Sequence, residues 1–226
     1  MTRLPSIFAF GLASVLLAGT IPLAAQETGS LVRSAPGEIP DGPDADANVR
    51  QGMYSFVTCV MGRSRNAVKA YLHTASGSAA AYQRAKRLAT DECIVDGIEF
   101  DETVFRGAAF EMLYREEFGS KPVEDFALLP TVDYVVGYDL TSESQQQALA
   151  LRRFADCVSR AAPLQVNALI MSRPGSSTEN SAFMGLAPKF SGCLIKDVTL
   201  RFTKLALRGV LGETIYRIRS TSREGG

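Results

Sequence analysis

Two segments of this 226-residue chain carry the same side chains at the same spacing, Arg-Gly-x-x-x-Glu-x-x-Tyr-Arg. The first comprises Arg106, Gly107, Glu111, Tyr114 and Arg115; the second comprises Arg208, Gly209, Glu213, Tyr216 and Arg217. If both are helices related by a pseudo-twofold axis, Glu111 and Glu213 can approach as a carboxylate pair. Such a pair does acid/base chemistry when its members titrate at different pH. The competing reading is structural: the helices pack at the centre of the molecule, and Glu holds Arg106 or Arg115. A Glu–Arg pair at i, i+4, as in Glu111–Arg115 and Glu213–Arg217, is also a common helix-surface ion pair worth about 0.2–0.5 kcal/mol. Gly107 and Gly209 interrupt helical sequence, where Gly costs about 1 kcal/mol relative to Ala. Close approach of another helix is the simplest compensation; a ligand against bare backbone is the sharper one.

No other motif adds chemistry. His73 is the single histidine, no triad spacing surrounds it, and a helix-end position facing solvent suits it better. The acidic residues between Asp41 and Asp46, and Asp91, Glu92 and Asp96, lack the calcium-loop spacing and read as solvated faces or caps. Neither GxxxxGK[ST] nor GxGxxG occurs, so no nucleotide cofactor is expected. Cys59, Cys93, Cys157 and Cys193 form no CxxC, and one histidine cannot complete two zinc sites, so no metal is expected either. The 24 basic and 24 acidic residues balance, which removes the electrostatic case for a nucleic-acid partner or an anionic membrane surface.

The elements that position the two segments come from an internal repeat. Phe56-Val57-Thr58-Cys59-Val60 aligns with Phe154-Ala155-Asp156-Cys157-Val158 at an offset of 98, which also pairs Val68 with Val166 and Gly77-Ser78 with Gly175-Ser176. Two short insertions then bring Cys93 onto Cys193, and Phe100 and Arg106-Gly107 onto Phe202 and Arg208-Gly209. The expected fold is therefore all-α: two tandem four-helix units, residues 44–118 and 142–219, joined by a linker over 119–141. The first helices span about 45–61 and 143–160, capped by Asp44 and Ser142, with Met53, Phe56, Cys59 and Val60 on one face. Second helices follow Ser64 and open at Pro163; third helices follow the Gly-Ser stops and end near the second cysteine; fourth helices follow Asp101 and Thr203. Residues 132–140 of the linker are β-prone, but one strand makes no sheet.

The N-terminus reads as a signal peptide over residues 1–25: Arg3, an apolar run from Ile7 to Gly19, and small residues up to Ala25. The apolar run is short for a transmembrane helix, which favours cleavage after Ala25 over an uncleaved N-terminal anchor, and no membrane span is expected in the mature chain. Residues 26–43 read as a flexible mature N-terminus and residues 220–226 as a disordered tail. Export, most simply to a periplasm, favours disulfides among an even number of cysteines. The repeat makes an intra-unit disulfide in each copy, Cys59–Cys93 and Cys157–Cys193, the economical pairing; a cross-copy bond such as Cys59–Cys157 is its rival.

The run Phe154-x-x-Cys157-Val158, Pro163, Leu169, Pro174-Gly175-Ser176, Cys193-Leu194 and Leu207-Arg208-Gly209 through Tyr216-Arg217 resembles a group of uncharacterised exported helical proteins of sphingomonad-type alphaproteobacteria. The first copy departs from it, with Arg65 at the place of Pro163 and Phe105 at that of Leu207. The resemblance implies export and a helical fold, and no activity. Three functions are carried forward: a non-catalytic periplasmic protein binding a macromolecular or envelope partner, a periplasmic enzyme using Glu111 and Glu213, and a periplasmic chaperone or inhibitor.

Overall fold

The computed structural model describes residues 43–89, 92–93, 102–194, 200 and 202–224. Among them are seven α-helices and no strand: α1 (Pro43–Leu72), α2 (Ala79–Leu88), α3 (Glu102–Phe118), α4 (Glu143–Ala161), α5 (Pro163–Met171), α6 (Ser177–Cys193) and α7 (Lys204–Glu224). The signal peptide and the N-terminal segment up to residue 42 lie outside the described residues, as do Phe100 and the expected cap Asp101.

Seven helices stand where eight were expected because α1 runs through a break. Ser64 has φ −142° and ψ 41°, outside helical geometry, yet the chain resumes its helix at once. Ala162, 98 residues later, has φ −148° and ψ 57° and separates α4 from α5. The second break is sharper because Pro163 follows it at the first helical position, where its missing N–H costs nothing. Further positions match in the same way. Gly77 and Gly175 both adopt positive φ, 73° and 78°, a region open to glycine. Ser78 and Ser176 then cap α2 and α6 by accepting from the backbone N–H of Ala81 and Glu179. Thr203 caps α7 through Ala206 N–H.

Other expectations change. α1 opens at Pro43, so Asp44 lies inside the helix rather than capping it. α2 stops at Leu88, short of Cys93, whereas α6 reaches Cys193. α7 continues to Glu224, so residues 220–224 of the expected tail are helical; Ser220 and Thr221 donate back to the Tyr216 and Ile218 carbonyls. The stretch 132–140 forms irregular chain after a 3-10 turn at Phe126–Leu128.

Each half has its own core. Met53, Phe56, Val60 and Val68 of α1 pack with Phe105 and Leu113 of α3, while Phe154, Val158 and Val166 pack with Leu211, Ile215 and Ile218 of α7. One disulfide closes each half, Cys59–Cys93 and Cys157–Cys193, over separations of 34 and 36 residues. Loop closure of that length stabilises by roughly 4 kcal/mol in the chain-entropy model. Neither bond crosses between halves. What joins them is the α3–α7 pair. Gly107 meets Gly209, Glu111 meets Gly212 and Phe118 meets Tyr216, so the contacts advance in step and the two helices run in the same direction.

Candidate functional site: the α3–α7 centre and the cleft beside it

Glycine sets the spacing of the centre. A Cβ on Gly107 would lie 2.5 Å from Gly209 Cα, and one on Gly209 would lie 2.9 Å from Gly107 Cα. Backbone therefore touches backbone, which accounts for two helix-interior glycines without any ligand. One residue before each glycine stands a buried arginine. Arg208 reaches across to Glu111, with Nε 3.0 and 2.9 Å from the two carboxylate oxygens and Nη2 2.8 Å from Oε2. Arg106 reaches Glu213 in the same sense but more loosely, with Nη2 3.3 Å from Oε1. The pairing is thus crosswise between the helices, with Arg106 held by Glu213 rather than by Glu111 of its own segment. Two long side chains at matched levels of a tight parallel pair find the opposite helix nearer than their own.

Each arginine also terminates a helix of its own half. Arg106 Nη2 donates to the carbonyls of Leu72 (2.9 Å) and Thr74 (2.8 Å), and Arg208 Nη2 to those of Ser172 (3.0 Å) and Ile170 (3.4 Å). These carbonyls at the ends of α1 and α5 have no partner within their helices. Arg217 Nη2 and Arg115 Nη2 reach the same helix ends from the opposite half, at Leu72 O (3.1 Å) and Ser172 O (2.6 Å). Of the two i, i+4 pairs, Glu213–Arg217 forms at 2.9 Å. Arg115 stacks over the Tyr54 ring and donates its hydrogen bond to the Ser172 carbonyl instead. Tyr114 bonds Asn167 and Tyr216 bonds Glu117, so the two signature tyrosines brace neighbouring helices.

The surroundings of the two glutamates then diverge. Glu213 also takes Arg152 Nη2 at 2.8 Å, so three guanidiniums face one carboxylate. Burial pushes its carboxyl up, but Arg152, Arg106 and Arg217 outweigh burial and hold it well below the usual range. Glu111 instead accepts from Tyr54 Oη, and its arginine is shared: Arg208 Nη1 bonds Glu179 at 2.9 Å. Burial, opposed by Arg208, leaves the Glu111 carboxyl above the usual range. Both carboxylates are fully enclosed, each only 2% exposed.

A solvent-open cleft of about 350 Å³ lies beside this centre. Leu72, Phe110 and Leu113 of the first half, Val132 of the linker and Tyr216 of the second supply its apolar walls. Lys69, His73 and Arg217 supply its charge. His73 sits one residue past α1, exposed as expected for a helix-end histidine, and it borders this cleft.

Sequence reasoning missed Tyr54, Arg152 and Glu179. Arg152 falls three residues from both Leu149 and Ala155 on the apolar stripe of α4, and a charge on such a stripe demands a buried partner. Glu179 stands in a Ser-x-x-Glu cap pattern after Ser176 and accepts from the N–H of Gly175, one residue before the cap, at 2.7 Å. Among the described residues no three His, Cys, Asp or Glu side chains come together as a metal site, and no helix is long and apolar enough to cross a membrane. Comparison with family models, curated proteins and solved structures finds no match for this chain.

Proposed function

We propose that this is a non-catalytic binding protein exported to the periplasm, akin to the sphingomonad-type exported helical proteins. In this reading its two halves descend from one duplicated four-helix unit, and it holds a macromolecular or envelope partner in the cleft between them. The observation that carries the reading is the cleft itself, walled by α1 and α3 of one half and α7 of the other. Its volume lies within the range of about 300–1,000 Å³ typical of ligand sites. Two disulfides suit an oxidising compartment. The matched breaks at Ser64 and Ala162, the matched glycine turns and the crosswise Arg–Glu pairs support descent from a duplication. The glutamates serve as ties between the halves, since each is enclosed and already bonded to arginine.

The test is retention of an envelope component by the full mature chain, with Ser220→Phe, which fills the cleft, as its comparison. Loss of the retained component in the variant is expected. Equal retention by wild type and variant rejects the cleft as the binding surface.

One observation favours a second reading, an enzyme built on the carboxylate pair: Glu111 and Glu213 are displaced in opposite directions. Glu111→Gln and Glu213→Gln variants that fold yet lose the cellular role of the protein would support it; folded variants with an intact role reject it. Suppression of client aggregation, proportional to protein concentration and insensitive to Ser220→Phe, would instead indicate the chaperone reading.

A further inference from the structure

The duplication proposed above predicts a second cleft, and comparing the two places shows what opened the first. Ser220 and Thr221 follow Tyr216-Arg217 as Phe118 and Gly119 follow Tyr114-Arg115. In the counterpart place Phe118 is buried between Tyr114 and Tyr216, with ring centroids 5.7 and 5.8 Å away. The Met171 methyl comes close against Gly119, 3.2 Å from where a Cβ would stand. In the open cleft the matching residues are Ser220 for Phe118 and His73 for Met171, and Lys69 replaces Asn167. Two bulky apolar side chains have become one small hydroxyl and one imidazole, and an amide has become a cation. The lining carries Lys69, His73 and Arg217 and no acidic side chain.

The charge behind this wall has the same sign. Arg106, Arg152 and Arg217 surround the single carboxylate of Glu213. Arg217 places Nε on Glu213 and Nη2 on the Leu72 carbonyl, while its Nη1 has no protein partner among the described residues. Lys69 is tied at 2.9 Å to Glu117, a half-buried carboxylate just outside the lining that also holds Arg65 at 3.7 Å and accepts from Tyr216 Oη at 3.4 Å, so an incoming anion can take Lys69 while Glu117 keeps two partners. The apolar walls are aromatic at one side, where Phe110 and Tyr216 stand 5.6 Å apart.

From this we infer that the cleft binds an anionic amphiphile: an acyl or aryl body against Leu72, Phe110 and Tyr216, with one carboxylate or phosphate head at Lys69, His73 and Arg217. This rests on the cleft being the binding surface, as proposed above. The same head-and-chain chemistry occurs in a free fatty or aromatic acid and in an anionic lipid.

The experiment is fluorescence titration of the full mature chain with 1-anilinonaphthalene-8-sulfonate, followed by displacement. Decanoate is expected to displace the probe, and decanol and decyltrimethylammonium at the same concentrations are not. Ser220→Phe should weaken probe binding about tenfold or more, and Lys69→Glu should weaken decanoate about tenfold, the loss of one charge-assisted contact. A circular-dichroism melt confirms that both variants fold; should Ser220→Phe fail to fold, Lys69→Glu and the decanol arm decide alone. Vesicles of phosphatidylglycerol against phosphatidylcholine separate the sources: competition by the former assigns a lipid, and its absence alongside decanoate displacement assigns a free acid. Equal displacement by decanol and decanoate, or decanoate affinity unchanged in Lys69→Glu, overturns the inference. If anions fail while Ser220→Phe still abolishes retention of an envelope component, the ligand class is wrong and the cleft stands; if retention is also unaffected, both readings fall.

Discussion

Glu111 and Glu213 hold matching places in α3 and α7 and face matching arginines, yet their environments have opposite character. Three guanidiniums surround Glu213, whereas Glu111 shares one arginine with Glu179. Most of the difference traces to one position of the first helix in each half: Tyr54 in α1 donates a neutral hydrogen bond to Glu111, and Arg152, 98 residues later in α4, brings a full charge to Glu213. A tightly packed pair of helices can thus keep its geometry while one side of it becomes cation-rich. The cation-rich side is the one that borders the cleft.

The largest effect expected from this comparison is Glu213→Gln. At pH 7 it leaves Arg106 and Arg152 buried beside a neutral amide, with the half-buried Arg217 against it, and stranded buried charge costs about 3–5 kcal/mol. Glu111→Gln leaves Arg208 still paired with Glu179, and the loss should stay near 1–3 kcal/mol. Urea unfolding monitored by circular dichroism measures both. Equal losses would show that the surroundings of the two carboxylates do not differ in energy. The disulfides supply the matched control. With loops of 34 and 36 residues, Cys59→Ala/Cys93→Ala and Cys157→Ala/Cys193→Ala should each lose roughly 2–4 kcal/mol. A gap between them larger than about 1 kcal/mol would break the symmetry on which the comparison stands.

A smaller effect probes the contact that both sides share. Gly107→Ala or Gly209→Ala forces a methyl into opposing backbone, and about 1–3 kcal/mol should be lost in each. Gly62→Ala is the control: nothing lies within 4 Å of its Cβ position and the residue sits in α1, so this variant should gain about 0.5–1 kcal/mol. Destabilisation by Gly62→Ala comparable to that of Gly107→Ala would remove packing as the reason for the central glycines.

Much of this centre could be read before any coordinates. Helix-interior glycine at 107 and 209 signalled close approach, because its entropic cost needs a steric return. The cysteine pairing was legible because the segments around Cys59 and Cys157 match, as do those around Cys93 and Cys193, which favours the same closure in each. The choice of partner for each arginine was hidden: local spacing favours the i, i+4 glutamate, and only the crossing of α3 with α7 puts the opposite glutamate closer. The continuation of α1 through Ser64 was hidden for a similar reason. A single non-helical residue does not stop a helix whose following turn, with Val68 and Leu72, is held by the core. The cleft left no motif because it goes with a small side chain, Ser220 four residues after Tyr216, where Phe118 stands four residues after Tyr114.

The smallest expected effect is also the one that best separates the two glutamates, because its sign differs. The Glu213 carboxyl is held below its usual range, so its contribution is full above the unfolded value of about 4.5 and is lost as the pH falls further. Glu213→Gln lacks that loss, and its deficit relative to wild type should shrink on acidification. The Glu111 carboxyl lies above its usual range, so the folded state takes up this proton at a higher pH than the unfolded chain does. Its contribution is full below about 4.5 and declines as the pH rises through the folded value. Wild type therefore gains from Glu111 between neutrality and pH 4.5 or so, and the permanently neutral Glu111→Gln does not. The deficit of that variant should widen over the same interval in which the Glu213→Gln deficit holds steady. Urea midpoints of the three proteins between pH 7 and 4 decide the matter. Parallel curves would mean that Arg208, with Arg115 nearby, keeps Glu111 ionised as firmly as three arginines keep Glu213, and the contrast between Tyr54 and Arg152 would then carry no electrostatic weight.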